Sequence, residues 1–125
     1  MSEKTVWPAL QYDDAKSAIR LISDVFGFRE TLTVPDDDGD IVHAELRGPD
    51  GGGVMLGSTK HCKLTPGPAG LYVVTDDVDA VYDRARAASL EITEDLHDTD
   101  YGSHTFTARD PEGNLWTFGT YRGAA

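Results

Sequence analysis

The sequence has a single cysteine, Cys62, in 125 residues. That excludes an internal disulfide and any CxxC metal site. Bases are also scarce: 11 Lys plus Arg stand against 22 Asp plus Glu, a net charge of −11. A surface of that sign repels phosphate backbones and argues against a nucleic-acid partner. It would attract a cationic ligand, although net charge bears on solubility before binding. No apolar run approaches the roughly 20 residues needed to cross a bilayer. The opening "MSEKTVWPAL" lacks the basic and then apolar pattern of a signal peptide. These absences lead us to expect a cytoplasmic protein without membrane or nucleic-acid partners. Hydrophobic residues at 39% and charged residues at 26% suit one folded domain over 1–125.

What is present repeats once. "VWPALQY" reads as a strand, and "DAKSAIRLISDVFGF" as a helix. Its Ala15, Ala18, Ile19, Ile22, Val25 and Phe26 recur at three and four. Asp14 is the expected N-cap and Gly27 the residue that ends the helix. "RETLTV", "IVHAELR" and "GVMLGS" read as strands, separated by the turns "PDDDGD" and "GPDGGG". After the Pro/Gly-rich "STKHCKLTPGPAG" the order restarts. "GLYVVTD" is a strand and "DVDAVYDRARAAS" a helix opened by Asp77, with Val78, Val81, Tyr82, Ala85 and Ala88 on one face. "LEITEDL", "HTFTARD" and "NLWTFGTY" are strands, the last two joined by "DPEG". The expected fold is α+β: two βαβββ modules, at about 5–60 and 69–122, each with a helix on one sheet face. The other face is free to curve around a cavity.

The double βαβββ order, with "DDAKSAIRLISDVFGF", "HAELRGPDGGGVMLGS" and "FTARDPEGNLWTFGTY", resembles the vicinal oxygen chelate superfamily. That group includes glyoxalase I, extradiol dioxygenases, fosfomycin resistance proteins and bleomycin-binding resistance proteins. The resemblance implies curved mixed sheets around a cleft and a homodimer. Modules paired within one chain or swapped between subunits are both compatible with it. It also implies a divalent metal held by His, Glu or Gln from the first and last strands of each module. Carried over residue by residue, those positions fall on Trp7, Met55, Leu71 and Thr117. None suits such a metal, and no His or carboxylate set stands one residue to either side. The expectation is therefore no metal and no cofactor.

The expected cleft lining is Trp7, Ala9, Gln11, Met55, Leu71, Val73 and Thr117. It is apolar with a few hydrogen-bonding groups, which suits a small organic ligand on which Trp7 could stack. The alternative is that Trp7 and Met55 fill the space where the metal would be. His43 and Glu45 alternate on "VHAEL" and point at the cleft if Leu46 faces the helix. There they could transfer protons or grip a cation, or serve only as a strand pair. His104 is a second candidate at the pocket rim. His61 and Cys62 ("HC") form no motif, His97 is expected in solvent, and "DDDGD" lacks the downstream spacing of a calcium loop. Three readings stay open. One is a metal-free protein that sequesters a small organic molecule, as bleomycin-binding proteins do. The second is a glyoxalase- or dioxygenase-like lyase or oxidoreductase, dependent on metal or on His43 and Glu45. The third is an interaction domain with a filled cleft.

Overall fold

The computed structural model describes residues 6–61 and 68–123. Cys62 lies outside them. The chain divides into two compact units, Met1–Gly67 and Pro68–Ala125.

The first unit holds β1 (Ala9–Tyr12), α1 (Ala15–Asp24), β2 (Arg29–Pro35), β3 (Ile41–Arg47), β4 (Gly53–Ser58) and a short 3₁₀ turn, Thr59–His61. Its sheet order is β1-β4-β3-β2; β1 runs parallel to β4 and the other pairs are antiparallel. Asp14 caps α1: its carboxylate accepts the Ser17 N–H at 3.2 Å and the Ser17 hydroxyl at 2.8 Å. The helix buries Ala15, Ala18, Ile19 and Ile22. From the sheet, Leu10, Tyr12, Ala44, Leu46, Val54 and Leu56 complete this core.

The second unit repeats the plan with β5 (Gly70–Val74), α2 (Val78–Ala87), β6 (Glu91–Asp98), β7 (His104–Arg109) and β8 (Leu115–Gly119), in order β5-β8-β7-β6. Phe118 stacks on Phe106 at 5.4 Å, and Tyr82 of α2 meets Phe106 edge-on at 5.2 Å. Trp116, Phe106 and Phe118 are fully buried. Asp77 precedes α2 without a side-chain cap bond. Each sheet is mixed, and the α+β fold of two βαβββ modules expected from the sequence is the one observed.

Four hairpins share one turn design: the residue before a three-residue loop donates its N–H to the carbonyl of the residue after it, and its own carbonyl accepts the N–H of the third loop residue. The amide of Asp36 donates to the Asp40 carbonyl, and those of Gly48, Thr99 and Asp110 donate to Gly52, Ser103 and Asn114. The third loop residue is Gly39, Gly51, Gly102 or Gly113, each at positive φ, where a side chain would be strained. The acid-rich "DDDGD" is therefore a hairpin loop. Asp36 Oδ1 accepts the amides of Asp38 and Asp40, and Lys60 Nζ sits 2.8 Å from Asp40 and 3.0 Å from Asp36. Lys60 first, then His61 and the two amides, hold Asp36 well below the usual carboxylate range, and Asp40 with Asp36 raises Lys60. An ammonium already fills the place where a cation would sit.

Candidate functional site

Strand alternation and register decide which side chains face away from each helix. In the first module β1 presents Ala9 and Gln11, β4 presents Gly53, Met55 and Gly57, and β3 presents His43, Glu45 and Arg47. Each lies opposite a buried neighbour. Two rows cross this open face. Ala9 pairs with Met55, Met55 with Glu45, and Glu45 with Leu32; Gly53 pairs with Arg47, and Arg47 with Arg29.

A cleft of about 130 Å³ opens among Ala9, Gln11, Val42, His43, Met55 and His61. Gly57 forms part of its floor; a Cβ there would lie 2.8 Å from the Val42 carbonyl. His43 Nε2 and Glu45 Oε2 are 2.8 Å apart, both half-exposed. Trp7 lies just before β1, and a Cβ at Gly53 would meet its Cζ3 at 2.9 Å. The Arg47 guanidinium lies 4.8 Å from the indole centroid. His61 was not expected in this lining. It reaches the cleft because the 3₁₀ turn follows β4 directly, and Asp36 anchors its Nε2 at 2.9 Å.

The second module corrects three assignments. Leu71 pairs with Trp116 and Val73 with Phe118. Both therefore share the face of the buried aromatics, and neither lies on the open face. Tyr72, opposite Thr117, takes the place expected of Leu71. Its hydroxyl donates to the Tyr121 carbonyl at 2.7 Å and lies 3.3 Å from Ser103 Oγ, above side-chain-free Gly119. The third correction is His104. It precedes Thr105 and alternates onto the helix side with Phe106. There Asp79 of α2 holds its Nε2 at 2.7 Å, and Asp98 holds its Nδ1 at 2.8 Å. The two carboxylates, Asp79 first, raise its pKa above the usual imidazole value. Thr117 does face the open side, and its Oγ1 is 2.7 Å from Thr107 Oγ1.

The positions where a metal would be held do not fit one. Met55 offers a thioether, Thr117 is engaged by Thr107, and Tyr72 stands where the second module would supply a donor. Among the described residues no group of three or more His, Cys, Asp or Glu side chains is placed to hold a metal ion.

The glyoxalase/bleomycin resistance protein/dioxygenase superfamily profile matches residues 4–118. The chain belongs to this superfamily. TioX from Micromonospora sp. ML1, a solved structure, is 33% identical to this glyoxalase-superfamily chain. It superposes with a TM-score of 0.81, covering 94% of this chain and 98% of TioX. The protein Rv0887c of Mycobacterium tuberculosis H37Rv is 33% identical over 127 residues, which span 94% of this chain and 74% of that protein. Lactoylglutathione lyase from Agrobacterium tumefaciens, at 22% identity and TM-score 0.70 over 95% of both chains, shares the fold. Among the described residues no helix is long and apolar enough to cross a membrane.

Proposed function

We propose that this glyoxalase-superfamily chain is a metal-free binding protein. It holds a small organic molecule, with antibiotics among the candidates, against the open face of its first module. It acts as a cytoplasmic homodimer. The observation that carries this reading is the pairing of a half-apolar cleft with metal positions occupied by Met55, Thr117 and Tyr72. The cleft volume of about 130 Å³ is below the roughly 300 Å³ of ordinary ligand sites. An occupant must therefore spread along the open face, where Gln11, His43 and Glu45 supply orienting hydrogen bonds. Titration with Ni, Zn, Mn and Fe should show no stoichiometric tight binding, and thermal-shift screening against aromatic and glycopeptide antibiotics should give stabilising hits. One-to-one tight metal binding would overturn the reading.

The 2.8 Å contact of His43 with Glu45 supports a second reading, a metal-independent lyase or isomerase. A carboxylate so placed orients the imidazole for proton transfer. Under this reading His43→Ala and Glu45→Ala abolish turnover while ligand binding persists.

A further inference from the structure

We propose that Arg29 and Arg47 form an anion-binding corner on the first module's open face. The corner takes the carboxylate of a planar aromatic acid whose apolar body lies along Leu32 and Val34. The proposal rests on the open-face binding reading above and names its ligand class.

Four observations carry it. First, Arg29 and Arg47 are register partners on adjacent antiparallel strands. Such partners have Cβ atoms about 5 Å apart, and like charges there are destabilising. Second, neither guanidinium has a carboxylate within ion-pair distance among the described residues, although the chain has twice as many acids as bases. Glu45 is the nearby acid, and His43 takes up its Oε2. Third, the second module shows the ordinary solution at the same place. There the first residue of the second strand is Glu91, paired with Arg109 and bridged to it at 3.2 Å. The first module has Arg29 where Glu91 would complete the pair. Fourth, the two arginines border a shallow depression of about 720 Å³, which also includes Thr31, Leu32 and Glu45. Leu32 is 44% and Val34 41% exposed, an apolar strip leading from the charged corner.

Trp7 fixes one of the two cations through its 4.8 Å contact with Arg47, so less side-chain freedom is lost when an anion docks. Two guanidiniums bordering one depression suit the bidentate recognition of a carboxylate.

The test is calorimetric titration of the full chain with 2-naphthoate and its uncharged isostere 2-naphthamide. Naphthoate should bind about tenfold more tightly, and its affinity should fall as NaCl rises. Arg29→Gln should erase the preference, weakening naphthoate far more than naphthamide. Glu45→Gln, which removes the competing negative charge, should tighten naphthoate. Equal affinity for the two probes, or a preference that survives Arg29→Gln, overturns the anion corner and leaves the cleft reading standing. Binding of neither probe also overturns it, and the cleft reading is then judged by the thermal-shift series alone. Should Arg29→Gln fail to fold by circular dichroism, the isostere and salt comparisons on the unsubstituted protein decide.

Discussion

Asp110 organises the β7–β8 hairpin. Its buried carboxylate accepts the amides of Glu112 and Asn114 at 3.0 Å, the Asn114 side-chain N–H at 3.2 Å and Trp116 Nε1–H at 3.1 Å. Asn114 Oδ1 in turn accepts the Ala69 amide at 2.8 Å, tying the hairpin to the entry of β5. The "DPEGN-aromatic" run is thus a set of mutually satisfied polar groups that lets an indole N–H be buried without cost. Asp110→Ala orphans several buried donors, each costing about 1–3 kcal/mol. Shared relaxation makes the sum less than additive, so we expect a loss of about 3–5 kcal/mol in urea unfolding. Asp110→Asn keeps one acceptor oxygen and should lose less. An alanine variant within about 1 kcal/mol of the parent would show that the network is ornamental.

At the scale of elements, His104 ties β7 to the first turn of α2 and to β6. The helix N-terminus disfavours an imidazolium by at most about 1 kcal/mol at an exposed site. The two carboxylates outweigh it, and the folded-state pKa is raised. A raised pKa means that the folded protein binds the proton more tightly than the unfolded chain. The contribution is then fully present below about pH 6.5 and is lost as pH rises through the folded value. The stability gap between the parent and His104→Gln should therefore narrow from about pH 6 to about pH 8. A gap that widened with pH would mean that the imidazole is held neutral. The same residue shows what the sequence disclosed. Period two places His104 with Phe106, so its face was legible and only its expected role as a rim residue was mistaken. The bounds of β3 and β4 were legible as well, because alternation there is clean and the turns are explicit. The face of β5 was not: Leu71, Tyr72, Val73 and Val74 are all apolar or aromatic, and only pairing with Trp116 and Phe118 separates them. The Arg29–Arg47 pairing was equally hidden, because register shifts between Glu30 and Leu32 on β2. Counting back from the turn cannot anticipate such a bulge.

At the scale of the whole molecule, two modules of one topology have diverged in what their open faces leave unsatisfied. The second closes its groups on each other: Thr107 with Thr117, Thr105 with the Phe118 carbonyl, Tyr72 with Tyr121, Glu91 with Arg109. Among the described residues the first keeps a cleft, a His–Glu pair and two arginines with no carboxylate at ion-pair distance, and the proposed binding is assigned to it on that ground. Both modules carry the same global burden, a net charge of −11 on 125 residues. Self-repulsion of that size opposes compaction, and salt relieves it, because the screening length falls from about 30 Å at 0.01 M to about 10 Å at 0.1 M. Salt also weakens local pairs such as Lys60 with Asp36 and Asp40, but exposed pairs contribute only about 0–1 kcal/mol each. The long-range sum of unbalanced acids is spread over the whole surface and should prevail. The melting temperature should therefore rise by several degrees between about 0.01 and 0.5 M NaCl. If calorimetry instead finds a fall, the lysine-bridged hairpin and its neighbours outweigh the global repulsion, and the acidic surface is better balanced locally than its net charge suggests.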